Sequence, residues 1–475
     1  MKTNKFAFLF MGAVTINALL ANDMEEVIVS SSLIDQAASE IPNPLHVMSG
    51  NDISNNASKS LGETLNDLLG VSSSDYGSGV GQPIIRGMSG SRVKILDNGL
   101  VNRDVSGLGA DHINDVDLSN VQQIEVVRGP SSLLYTNGTI GGIVNIVDNS
   151  IAQEDVQRLA KIGLETQSVN DGDAQTIFYQ DNLNDINISF SYKDSSFGDF
   201  NVPNGSIIHI EEEGHQEHED HEEHDEQEEE LGYLVNSDFA SESLKFGASK
   251  TGDWGYIGFS LANIESLYGI PYHGDEHDEH EDEEEVHEEH EGERIFSTTD
   301  SDKFDLRGSL NINGNFLSSV DFFFRDSDYV LTEQHAQEDE EHDEHEGHSK
   351  GSTTFANDSV EAGLIFDLSN DQLSQKVSLN FVDEDNSVRG AEAFMNPASR
   401  DELTLGYFAS RDFDVFHVDF GIRFDNIDSE GSVSSAHEEN NEKNEGHDED
   451  HEEMETSFFD KSFSNSSLAF NFSKS

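Results

Sequence analysis

The stretch "HQEHEDHEEHDE", residues 215–226, sets His215, His218, His221 and His224 three residues apart in an acidic run. Three further segments share this composition. Residues 272–293 carry His273, His277, His280, His287 and His290; residues 335–348 carry His335, His342, His345 and His348; residues 436–453 carry His437, His447 and His451. Imidazole nitrogen and carboxylate oxygen are ligands for Zn²⁺, Ni²⁺, Cu²⁺ and Co²⁺. Acid alone would serve Ca²⁺, so the added histidines point to a transition metal. At this spacing neighbouring rings reach one ion only if the backbone turns. Mutual repulsion of the flanking carboxylates holds an empty segment open until a cation neutralises it. Such a field concentrates divalent cations without choosing among them. These runs read as a capture zone; solvated acidic loops with incidental histidine are the alternative.

The elements that must hold these runs follow from composition and periodicity. The chain has 475 residues, 96 acidic against 26 basic, and a formal net charge of -70. That balance disfavours nucleic acid as a partner and favours a cation. No cysteine is present, so disulfides and thiolate metal sites are excluded. Lys2 and Lys5 precede the apolar segment 6–20 and the small residue Ala21, the pattern of a signal peptide over residues 1–21. No later stretch approaches the ~20 apolar residues of a spanning helix, so an exported chain that enters a membrane must do so as a barrel. No nucleophile stands beside a partner base. "GSGVGQ" (77–82) lacks the lysine and helix of a phosphate loop. The sequence therefore predicts no enzyme and no catalytic cofactor.

From about residue 158 the apolar period is two. Phe304, Leu306, Gly308, Leu310 and Ile312 alternate with Asp305, Arg307, Ser309 and Asn311. Phe416, Val418, Phe420, Ile422 and Phe424 alternate with His417, Asp419, Gly421, Arg423 and Asp425. Val377, Leu379 and Phe381 repeat the device. One face of such a sheet is apolar and the other polar. Short turns are expected at 182–185, 251–254, 313–315, 369–372 and 411–414, with long connections between them, and every histidine-rich run falls in a long one. In an up-and-down meander this puts all short turns at one end and all acidic loops at the other, as in an outer-membrane barrel. Roughly 12 strands of the ~9–11 residues that a barrel wall requires are expected. A soluble sandwich is the alternative.

"PIIRGMSGSRVKILDNGL" (83–100) and "VQQIEVVRGPSSLLYTNGTIGGIVNIV" (121–147) resemble the plug signatures of TonB-dependent outer-membrane receptors. "EEVIVSS" then resembles the TonB box, formed by Glu25, Glu26, Val27, Ile28, Val29, Ser30 and Ser31. The resemblance implies a mainly β fold, with an N-terminal α+β plug inside a transmembrane antiparallel barrel of 22 strands in the family. About 12 of those strands are expected here, in a chain that stops short of the C-terminal ones. It implies residues 22–33 as box and extension, 34–152 as plug and 153–475 as partial barrel. It also implies the TonB energy-transducing complex and outer-membrane lipid as partners.

Within that family the chain most resembles the zinc-uptake receptors. "SGLGADHINDVD" (106–117) is similar to their plug apex, which implies Asp111 and His112 as metal ligands. The match departs at Gly109-Ala110-Asp111, where those receptors usually carry a proline before the aspartate. "YGIPYH" (268–273) and "GAEAFMNP" (390–397) are also similar, and they supply His273 and Glu392 as further candidates. His417 faces the lumen by alternation and reads as a polar lining residue. The expected function is TonB-dependent import of a transition metal ion, zinc first. A receptor for a metal chelate or haem, and a surface metal buffer that does not transport, are the alternatives.

Overall fold

The computed structural model describes residues 28–29, 36–37, 46–54, 60–77, 79–136, 140–203, 232–271, 294–336, 352–370, 372–390, 393, 395–436 and 454–474. Near the N-terminus Ile28–Val29 (β1) pairs antiparallel with Gln36–Ala37 (β2). The signal-peptide segment lies outside the described residues, as does the rest of the box.

Residues 46–147 build the inner body. In chain order its elements are His46–Ser49 (β3), Gly50–Ser54 (α1), Leu61–Leu65 (α2), Val71–Tyr76 (β4), Val80–Ile85 (β5), Val93–Asp97 (β6), Leu100–Val101 (β7), Gln123–Val127 (β8) and Gly142–Val147 (β9). Five strands form a mixed sheet in the order β3-β8-β9-β6-β7, with β6 and β9 parallel. The central strands "QIEVV" and "GIVNIV" are near-continuously apolar because both sheet faces are covered. Ile124, Val126, Val144 and Ile146 pack with the helical residues Ile53, Leu61 and Leu65. Val127 and Ile143 pack with Leu96 and Tyr135 in a second cluster. Glu125 is fully buried in β8, and its carboxylate accepts from Gln123 Nε2 at 2.5 Å and Asn145 Nδ2 at 3.0 Å. Ser60 caps α2, its Oγ accepting from the Glu63 N–H at 3.2 Å.

The period-two segments fold into one antiparallel sheet of 12 strands. They are Leu159–Gln167 (β10), Gly172–Asn182 (β11) and Ile186–Phe197 (β12), then, after the small ribbon Phe200–Asn201 (β13) with Tyr233–Leu234 (β14), Phe239–Gly252 (β15) and Gly255–Gly269 (β16). Arg294–Asn311 (β17), Ser319–Ala336 (β18), Thr353–Asp367 (β19), Ser374–Gly390 (β20), Ala398–Phe413 (β21), Phe416–Ala436 (β22) and Met454–Ser473 (β23) follow. Each wall strand pairs with its neighbour in sequence, and β10 and β23 are the two edges. Alternation sets the faces as expected. Leu310, Leu379, Phe381 and Phe424 are exposed outward, while Asp305, Ser378, Arg423 and Asp425 are buried inward. Among the described residues no helix is long and apolar enough to cross a membrane.

Short turns fall at all five expected places, joining β11 to β12, β15 to β16, β17 to β18, β19 to β20 and β21 to β22. Apart from His335 and Ala436 at strand ends, the histidine-rich runs lie outside the described residues, but the strands that bracket them are described. The runs fall between β13 and β14, between β16 and β17, between β18 and β19, and between β22 and β23. Consecutive antiparallel pairing places all of those strand ends at one end of the wall, opposite the five turns. One expectation fails here. The connection between β20 and β21 spans only residues 391–397, so it is not long. It carries no acidic run, and nothing in its composition requires extra length.

Ion pairs tie the inner body to the wall. Arg103 lies 3.2 Å from both Glu361 and Glu384. Lys303 meets Asp115 at 2.6 Å, and Arg325 reaches Asp97 at 3.4 Å while holding Asp305 at 2.6 Å. Lys245 contacts Asp148 and lies 3.7 Å from Asp97. The wall's polar face is thus the complement of the inner body's surface, which explains why a lumen-facing row holds arginine and aspartate together.

Candidate metal centre

The loop between β7 and β8 is organised by buried polar side chains. The Asp104 carboxylate accepts from Ser106 N at 3.1 Å and Ser106 Oγ at 2.5 Å on one oxygen, and from Asn102 Nδ2 at 2.9 Å and Asp115 N at 3.0 Å on the other. Burial still pushes this carboxyl above its ordinary range, against the pull of those donors. Gln82 Nε2 donates towards the carbonyls of Ser106, Gly109 and His112 at 2.7, 2.7 and 3.0 Å. A β5 side chain therefore clamps the loop from below, and the loop keeps its shape without regular structure.

That shape brings three ligand groups together. Asp111, His112 and Glu333 each offer one ligand atom, and those atoms lie within 4.8 Å of one another. His112 and Glu333 are buried and Asp111 is half-buried. The His112 Nδ1 lies 2.9 Å from the Val105 carbonyl, so Nδ1 carries the proton and donates, leaving the Nε2 lone pair for an ion. The imidazole stands edge-on to Phe355 at 4.9 Å. Gly109 completes the fit: a Cβ there would sit 2.6 Å from Asp111 Oδ1 and 3.2 Å from His112 Nε2.

An apolar collar surrounds this cluster. Val105 and Ile113 of the loop pack with Tyr268, Ile295, Tyr329, Leu331, Phe355 and neighbouring residues of the wall. Low local polarity strengthens any charge interaction inside it. Three ligand atoms leave a tetrahedral zinc one short, a position open to water or to an exchanging ligand.

The structure brings the expected Asp111 and His112 together with Glu333, which the sequence reading did not name. Glu333 stands on the inward row of β18 with Arg325, Ser327, Tyr329 and Leu331. The alternation of "RDSDYVLTE" carries that signal, because a carboxylate on the inward side near a loop end is a candidate ligand. His273 and Glu392 lie outside the described residues, as do His215, His218, His221, His224, His277, His280, His287, His290, His342, His345 and His348. His417 is buried on the inward face at the turn end, far along the wall from the loop ends. Its ring nitrogens meet Asp412 at 2.5 Å and Asp419 at 2.7 Å. It lines the lumen and takes no part in the apex cluster. The glycines of 77–82 serve close approach: a Cβ on Gly79 would fall 2.4 Å from the Phe239 ring of the wall.

Comparison with known proteins bears directly on the inner body. Residues 37–143 match the TonB-dependent Receptor Plug Domain. The plug region also carries sequence similarity, 32% over 142 residues, to the vitamin B12 transporter BtuB of Vibrio cholerae. That alignment spans 29% of this chain and 23% of the transporter. By fold, the copper transporter OprC covers 90% of this chain with a TM-score of 0.62 at 11% identity. The ferric yersiniabactin uptake receptor FyuA of Yersinia pestis covers 94% with a TM-score of 0.61 at 12% identity. This chain spans 61% and 63% of those two proteins. The inner body and the wall together share the fold of these two proteins, with the inner body seated against the wall's polar face.

Proposed function

We propose that this chain is the plug and part of the wall of a TonB-dependent importer of a divalent transition metal, zinc first. The observation that carries the reading is the convergence of Asp111 and His112 of the plug with Glu333 of the wall. One imidazole and two carboxylates suit zinc, and the absence of sulfur ligands makes Cu(I) a poor fit. The acidic histidine runs gather cations at the outer rim. The apex cluster then holds one ion with ligands divided between two bodies, so a shift of the plug breaks the site. Pulling on residues 25–31 through the TonB complex supplies that shift and releases the ion inward. The protein binds and passes an ion and makes no covalent bond to it.

The likeness to a vitamin B12 transporter favours a second reading, a receptor for a metal chelate. Uptake of radioactive zinc by cells carrying the full-length receptor, with and without residues 25–31, tests the first. Import predicts normal binding with loss of accumulation in the deletion. Equal accumulation by both would refute it, and a surface buffer would behave that way.

A further inference from the structure

Tyr268 of β16 stands directly opposite Ser297 of β17, and Ser297 stands directly opposite Glu333 of β18. Opposed residues of paired strands point to the same face, so all three side chains project inward at the height of the apex cluster. All three are buried, Tyr268 and Ser297 completely. The Tyr268 hydroxyl accepts from the Ile113 N–H of the apex loop at 3.4 Å. It also stands beside Ser297 and within electrostatic reach of Asp111 and Glu333.

Ser297 is the odd member of this row. Its Oγ is sealed from solvent and makes no hydrogen bond of good geometry among the described residues. A hydroxyl has one proton to donate, and burying it without an acceptor is unfavourable. A proton donated by Tyr268 to Ser297 would still leave the serine's own proton unplaced. Thr353, opposite Glu333 on the other side, already has a contact of its own. Opposed Cβ atoms lie about 4.5–5.5 Å apart, so rotation about the Cα–Cβ bond carries the Ser297 proton to the Glu333 carboxylate. That carboxylate has two oxygens, so an ion on one leaves the other able to accept. Hydrogen bonds of this kind orient ligating carboxylates and tune their affinity.

We infer that Ser297 is a positioning residue of the apex metal site, donating to the Glu333 oxygen that the ion leaves free, with Tyr268 joining that bond to the apex loop. The inference rests on the metal reading and deepens it. A ring then closes through the ion, Glu333, Ser297, Tyr268, Ile113 and His112. One chain of hydrogen bonds orients the wall ligand and the loop ligand together.

The test is zinc competition against a chromophoric chelator on the purified full chain, with thermal melting of metal-free samples alongside. The variants are Ser297→Ala, Ser297→Thr, Glu333→Gln and the pair Ser297→Ala/Glu333→Gln. Ser297→Ala is expected to weaken the strong site about tenfold, and Ser297→Thr to keep most of the affinity because the hydroxyl remains. The metal-free melting temperature of Ser297→Ala should not fall, since its hydroxyl gains a partner only when the ion arrives. In the Glu333→Gln background, Ser297→Ala should add less than about twofold, the mark of two residues acting as one unit. Unchanged affinity in Ser297→Ala overturns the inference and leaves the metal site standing, as does an equal further loss on top of Glu333→Gln. If Asp111→Ala/His112→Ala leaves zinc affinity untouched, the metal reading falls and this inference falls with it.

Discussion

His112 donates from Nδ1 to the Val105 carbonyl at 2.9 Å, which turns its Nε2 towards Asp111 and Glu333. The ring is thereby fixed in tautomer and direction before any ion arrives. The arrangement is a candidate half-site on the inner body, faced by one carboxylate from the wall.

Glu333→Gln should weaken zinc binding at the apex by roughly 10–100-fold, because the amide keeps the shape and loses the anionic oxygen. Equilibrium competition with a chromophoric zinc chelator reads the change. The variant should fold like the parent, since Gln fills the same space on β18.

Gln82 acts one layer beneath. Its Nε2 holds three loop carbonyls, including that of His112 itself. Gln82→Leu should lower zinc affinity about tenfold without touching a ligand, as the loop loses its fixed shape. Hydrogen exchange should show faster exchange across residues 106–112 in that variant.

Arg103 couples plug to wall through Glu361 and Glu384. Burial works against its charge, and those two carboxylates outweigh burial and raise its pKa above the ordinary arginine value. Arg103→Met leaves two carboxylates facing each other in a closed interface, a loss of about 3–5 kcal/mol. The plug should become accessible to protease in the folded receptor. Adding Glu361→Gln and Glu384→Gln should restore much of the protection.

Asp97 sets a pH dependence. Burial alone would raise its pKa, but Lys245, Arg325, Lys303 and Arg307 hold it well below the usual carboxylate range. A depressed carboxylate contributes stability at pH values above its unfolded pKa, and that contribution is lost as the pH falls through the folded value. Asp97→Asn should therefore lower the melting temperature by roughly 5 °C at neutral pH. The gap to the parent should shrink as the pH falls below about 4.

The wall was legible from sequence because lipid on one side and plug on the other impose a strict period of two. Leu379 and Phe381 against Ser378 settle which face is which without any structure. The plug strands were harder, since β8 and β9 are covered on both sides and lose the alternation. Two of the three residues of the apex cluster were readable because Asp111 and His112 are neighbours in a glycine-bearing loop. Glu333 was not, because its inward direction follows from alternation while its height relative to the plug does not. That height depends on how far the plug rises inside the wall, which the ion pairs of Arg103, Asp115 and Asp97 determine.

The most direct test of the account is zinc competition on the purified full-length receptor, comparing the parent with Asp111→Ala/His112→Ala. The account predicts that one strong site disappears while the acidic histidine runs keep many weak ones. Strong zinc binding that survives the double substitution would contradict it.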